Sequence, residues 1–111
     1  MPQAKGPNRY PDVQEYLNRA MDSERGIRIE VPDRATGFTL RMRVYAKKKD
    51  WRETYIRMYE HDPDNPDRHR DPFQLIIPSV EQDPNTGKWY LYLRKDNPYA
   101  AGIVLNIEEL D

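Results

Sequence analysis

Basic side chains are concentrated between residues 34 and 57, and phosphate binding is the chemistry that they indicate. This segment of 24 residues contains two acids and eight bases: Arg34, Arg41, Arg43, Lys47, Lys48, Lys49, Arg52 and Arg57. Its net charge is +6 and that of the whole chain is -1, so the other residues carry -7. Because a concentrated positive field attracts phosphates or an acidic protein surface, we predict a binding site for nucleic acid or for such a protein.

The conformation of this basic segment decides which of its side chains point together. In a helix, Arg34, Arg41 and Lys48 are spaced seven residues apart and lie on one stripe. In a strand, Arg41 and Arg43 project from the same face. Either geometry presents several cations on one surface, as phosphate neutralisation requires. A solvated charged surface without a ligand is the alternative interpretation.

Aromatic residues of a second segment, residues 88–94, could stack on nucleic-acid bases. Strand alternation places Tyr90, Tyr92 and Arg94 on one face. Aromatic rings interleaved with a cation on an open sheet can bind bases. The segment lacks the glycine and aromatic pattern of an RNA-recognition motif, and ordinary cross-strand packing of the tyrosines is the alternative.

An acidic loop at residues 60–72 has the residue types of a metal or nuclease site, but its spacing fits neither. Counted from Asp62, a helix-loop-helix calcium site requires Gly at the sixth position and Glu at the twelfth, which Asp67 and Phe73 occupy. His61 and His69 are not at the i, i+4 spacing of zinc hydrolases. A proline-rich turn is the ordinary explanation, and a metal-dependent nuclease ranks third among the functions. We expect no enzyme, no catalytic or metal-binding residue and no cofactor.

The length of 111 residues and the absence of cysteine indicate one small domain without disulfides. We expect a flexible arm at residues 1–10 and a single domain at residues 11–111. No apolar run has the length of a signal-peptide core or a membrane span. The chain is therefore predicted to be cytoplasmic, without a membrane partner.

The first elements have regular patterns. Residues 12–21 are predicted to form a helix with one apolar stripe, because five residues recur at helical spacing: Val13, Tyr16, Leu17, Ala20 and Met21. Asp12 and Glu15 suggest a capping box. Residues 26–31 alternate strictly and predict a strand.

Residues 34–51 are compatible with two conformations. Phe38, Leu40 and Met42 alternate as in a strand. Helical spacing is also present, Asp33 is a plausible cap, and lysines 47–49 favour a helix. We predict a helix from about residue 34 to about residue 51, although Gly37 and the β-branched residues oppose it.

The second half of the chain is predicted to be mostly strands. Residues 54–59, 73–80, 88–94 and 102–107 have strand patterns, and the turn at residues 83–87 predicts a hairpin. The predicted fold is α+β, with a mainly antiparallel sheet of four to five strands packed with one or two helices. An unpaired edge strand could join two copies in a homodimer.

Short motifs in the first half resemble small uncharacterised proteins of tailed phages. They are Glu15-Tyr16-Leu17, Arg19-Ala20-Met21, Gly26-Ile27-Arg28 and the segment 38–43. The resemblance implies that segment 38–43 is helical and that the setting is the cytoplasm of an infected bacterium. There, a small protein would bind host or phage machinery. A protein-interaction module that inhibits or modulates host machinery is therefore the second predicted function.

Overall fold

Two helices and a three-stranded antiparallel sheet form the fold of residues 9–95, which are the residues that the computed structural model describes. The elements follow the chain in this order: α1 (Pro11–Asp22), β1 (Gly26–Val31), α2 (Arg34–Met58), a 3-10 helix (Pro66–His69), β2 (Ile76–Gln82) and β3 (Trp89–Lys95). This arrangement confirms the α+β class. No helix in this part of the chain is long and apolar enough to cross a membrane.

The predicted sheet of four to five strands is wrong, because the sheet of the described residues has three strands in the order β1-β3-β2. Residues 54–59 are predicted as a strand, but residues 54–58 are helical and extend α2 to Met58, and Tyr59 is its C-cap. The alternation of these residues therefore does not mark two faces of a sheet. The Thr54 hydroxyl donates to the Asp50 carbonyl four residues earlier (2.7 Å), which is a contact made within a helix. The predicted strand at residues 102–107 lies outside the described residues.

The register of the sheet divides its side chains between two faces. Leu91 of the central strand lies opposite Ile29 of β1 and Val80 of β2. Both helices pack on this face, and together they bury one core: Val13, Leu17, Ala20, Val44, Phe73, Ile76, Leu91 and Leu93. The apolar stripe predicted for α1 is therefore confirmed.

The start of α1 differs from the prediction. Pro11 is its first residue and the N-cap is Tyr10, whose side chain makes no capping bond and whose φ is 53°. Asp12 lies inside the first turn, so the predicted capping box is wrong. Proline suits the first helical position because its fixed φ is helical and its missing N–H would be unpaired there.

Helix α2 confirms the helical interpretation of the basic segment and explains its glycine. Asp33 caps it by accepting a bond from the Thr36 N–H (2.7 Å), which lowers the pKa of the carboxyl. Gly37 is buried, and a Cβ there would lie 2.9 Å from the Val80 Cγ1 and 3.4 Å from the Val31 Cγ2. The glycine therefore allows the helix to approach the sheet closely.

Candidate nucleic-acid interface on the second helix

The outward face of α2 is a mixture of exposed apolar and cationic side chains. Phe38, Met42 and Tyr45 are exposed although they are large and hydrophobic, and Met42 is 72% exposed. They occur at spacings of four and three residues, which places them on one side of the helix, away from Val44 and the core. We define the outward face by seven residues at compatible spacing: Arg34, Phe38, Arg41, Met42, Tyr45, Lys49 and Arg52.

Cation–ring contacts hold two of its arginines against this face. The Arg34 Cζ lies 5.0 Å from the centre of the Phe38 ring. The Arg41 Cζ lies 6.0 Å from the Phe38 ring and 5.2 Å from the Tyr45 ring. Such contacts attract the guanidinium to the ring face and leave its N–H groups able to bind an anion.

Among the described residues, α2 itself contributes no carboxylate along its first four turns. The sequence contains no acidic residue from 34 to 49. Among the ion pairs of residues 9–95, none involves Arg34, Arg41 or Lys49. Arg52 is paired, with 3.2 Å between its Nη1 and the Asp71 Oδ2, and both groups lie near solvent. The positive field is therefore concentrated along the first four turns.

Lys47 and Lys48, which the sequence assigned to the interface, point into the protein instead. Lys47 is 0% exposed and donates to the Arg9 carbonyl, while Lys48 is 8% exposed and donates to the Ile76 carbonyl (2.8 Å). Burial lowers the pKa of both lysines, and Asp50 partly offsets this for Lys47. Both ammonium groups are therefore too buried to contact a phosphate.

Two further cations of the segment lie off the outward face. The Arg43 Cζ is 5.2 Å from the centre of the Tyr10 ring, beside the start of α1. Arg57 is near the end of α2, 3.5 Å from the Thr54 hydroxyl. The structure thus brings together four of the eight predicted residues: Arg34, Arg41, Lys49 and Arg52.

The predicted stacking residues lie on the opposite face of the sheet, where arginines cover them. The Arg28 Cζ is 4.0 Å from the Tyr90 ring centre, and the Arg94 Cζ is 4.1 Å from that of Tyr92. Arg94 is also bound to both carboxylate oxygens of Glu81. A base could stack on these rings only after it displaced an arginine, so this face is the weaker candidate.

The acidic loop does not converge on a metal-binding geometry. Within the described residues, no group of three His, Cys, Asp or Glu side chains is placed to hold an ion. His61 is 95% exposed, beside Glu60 (3.3 Å), and His69 ends the 3-10 helix. Asn65 caps that helix by accepting a bond from the Asp67 N–H (2.9 Å), as expected of a turn-forming loop.

An aromatic cleft next to the outward face was missed by the sequence analysis. It has a volume of about 420 Å³ and lies between the two helices and the residues before β2. Six residues line it: Gln14, Asn18, Trp51, Tyr55, Pro72 and Phe73. The spacing of Trp51 and Tyr55 at i, i+4 was a signal for it, but the predicted strand at residues 54–59 separated the two.

Comparison with known proteins identifies no relative. No family model matches the chain, and no curated protein or solved structure matches it.

Proposed function

We propose that this protein is a non-catalytic binding module that contacts nucleic-acid phosphates through the outward face of α2. One observation carries the proposal, namely that Arg34, Arg41 and Lys49 lie on an exposed face on which α2 has no carboxylate before Asp50. Three neighbouring cations that have no ion-pair partner among residues 9–95 create the field that attracts a polyanion. Arg52 would be a fourth contact if phosphate competes with Asp71 for its guanidinium.

The length of the face suits an extended polyanion. From Arg34 to Arg52 the helix rises about 27 Å, at roughly 1.5 Å per residue. This corresponds to about eight base-pair steps along the axis of a duplex, at roughly 3.4 Å each. A straight helix of this length crosses the winding backbone and does not follow one strand, so its cations would contact phosphates at separate points.

Salt dependence tests this proposal. With about four phosphates neutralised, we expect the logarithm of the affinity for duplex DNA to fall with the logarithm of salt concentration at a slope of about -3.6. A fourfold increase in salt then weakens binding by about two orders of magnitude. Fluorescence anisotropy with a labelled duplex and a labelled single strand measures this slope. Undetectable binding of both at low salt would reject the proposal.

A second candidate is a module that binds an acidic protein surface, and the exposure of Met42 favours it. A thioether side chain does not bind phosphate, whereas it can pack against the apolar side chains of a partner helix. Residues 38, 42, 45, 49, 52 and 56 also follow the alternating spacing of four and three residues found in helix–helix seams. Pull-down from a nuclease-treated bacterial lysate separates the candidates: a partner retained by the native protein and lost by Met42→Glu favours protein binding.

The resemblance to tailed-phage proteins supplies a setting for either candidate. In an infected bacterial cytoplasm the partner would be phage or host nucleic acid, or a component of host machinery that the protein inhibits or modulates. If the partner is nucleic acid, the negative charge of the residues outside 34–57 repels its phosphates. This repulsion would restrict binding to the outward face of α2 and orient the nucleic acid there.

A further inference from the structure

We infer that the aromatic cleft beside α2 binds an unpaired nucleobase of a single strand whose phosphates contact the outward face. This inference rests on the proposed function and adds the kind of nucleic acid to it. The cleft volume of about 420 Å³ lies within the range of roughly 300–1,000 Å³ that is typical of small-ligand sites.

The walls of the cleft suit a flat ring. The Trp51 and Tyr55 rings are 6.2 Å apart between centres and tilted by 36°, and Pro72 and Phe73 form the other side. The two helix rings are too close for a base to enter between them, so a base would stack on one exposed ring face. Every base offers such a π-surface.

The polar side of the cleft presents hydrogen-bond donors in a fixed orientation. The Trp51 indole can only donate, and it donates to the Gln14 Oε1 (2.7 Å). The Gln14 Nε2 must then point away, and it donates to the Asn18 Oδ1 (3.0 Å). The Asn18 amide NH₂ is consequently the last donor in this series of hydrogen bonds, and no residue among 9–95 accepts a bond from it. It is available to a base carbonyl oxygen or ring nitrogen.

Two cations connect the rim of the cleft with the phosphate-binding face. Arg52 belongs to the outward face and binds Asp71, the neighbour of the cleft residue Pro72. The Arg70 Cζ lies 5.7 Å from the centre of the Tyr55 ring, farther than the 4.0 and 4.1 Å at which arginines cover the two sheet tyrosines. A strand that follows α2 towards its carboxyl end would therefore reach the cleft with cations near its backbone.

The same geometry excludes a paired base. In a duplex the ring faces are stacked on neighbouring pairs, so a base can enter the cleft only when it is unstacked. The inference therefore predicts that the cleft strengthens the binding of single strands and has no effect on duplex binding.

Tryptophan fluorescence in a Trp89→Phe background, which leaves Trp51 as the sole tryptophan of the chain, tests the inference. We expect oligo(dT) and the uncharged nucleoside thymidine to quench Trp51. Tyr55→Leu should weaken oligo(dT) binding about tenfold, because one stacked base is lost. Asn18→Asp should weaken it at least as much, since a carboxylate cannot donate and repels phosphate. Duplex affinity should not change with Tyr55→Leu.

The outcomes distinguish this inference from the proposed function. Salt-dependent oligonucleotide binding without Trp51 quenching, and with normal affinity in both variants, would overturn the inference and leave the proposed function intact. Quenching by thymidine without any oligonucleotide binding would reject the proposed function and, with it, the inference, because the cleft would then bind a nucleoside and not a base of a bound strand. Quenching by a proline-rich peptide but not by thymidine would overturn the inference, because the aromatic groove would then bind polyproline. Asn18 is exposed, so its variant tests the site even if Tyr55→Leu unfolds.

Discussion

Replacement of Arg34, Arg41 and Lys49 by Gln together is expected to reduce the salt slope for duplex binding from about -3.6 to about -0.9, since one phosphate contact would remain. If both proteins bind equally at about 1 M salt, this difference corresponds to a loss of roughly three thousandfold in affinity at about 50 mM salt. Glutamine keeps the helix propensity and the polarity of the surface. Fluorescence anisotropy over a range of salt concentrations measures both quantities.

A matched control separates the position of the charges from their number. Arg19, Arg57 and Lys88 lie off the outward face, and their joint change to Gln removes the same three charges. We expect this control to keep a slope near -3.6. If both triple variants lose affinity equally, net charge alone would govern binding and α2 would not be the interface.

The second large effect is expected from Asp50→Ala, which should lower the free energy of unfolding by about 2 kcal/mol, because it removes the carboxylate that accepts two charge-assisted bonds from the partly buried Arg9. Asp50 is 2% exposed and forms two bonds with Arg9, at 3.0 Å from the Arg9 Nε and 2.9 Å from its Nη2. Its charge also balances the buried ammonium of Lys47. Denaturant unfolding followed by circular dichroism measures the change.

The pH dependence of this variant identifies the cause. Burial depresses the pKa of Lys47 below its unfolded value, so the unfolded state binds more protons as pH approaches that value, and folding stability rises with pH there. Removal of Asp50 should depress this pKa further, because the opposing carboxylate is lost. The deficit of Asp50→Ala should therefore be smaller at pH 10 than at pH 7. A deficit that does not change with pH, or one below about 0.5 kcal/mol, would contradict this role for Asp50.

Local patterns predicted the elements whose reasons are local. The strand at residues 26–31 alternates because one face is buried, and the helix residues Val13 and Leu17 form a stripe for the same reason. The turn at residues 83–87 was evident because Gly87 is required at its left-handed position, where φ is 74°. These features depend on residues close together in the chain.

The direction of each cation could not be predicted, because it depends on distant partners. Lys47 and Lys48 differ from Lys49 only in that α2 turns them towards the carbonyls of Arg9 and Ile76, which are 38 and 28 residues away from them. Gly37 likewise opposed a helix by its propensity, yet the helix requires it to approach Val80. In both cases tertiary packing, which the sequence pattern does not encode locally, decides the result.

Amide chemical-shift mapping with a short oligonucleotide tests the location of the interface most directly. We expect the perturbed amides to follow the outward face of α2, around Arg34, Arg41 and Lys49, and a single strand to extend them to Asn18 and Tyr55. Perturbations centred on Arg28, Tyr92 and Arg94 of the opposite sheet face, with α2 unchanged, would contradict the account.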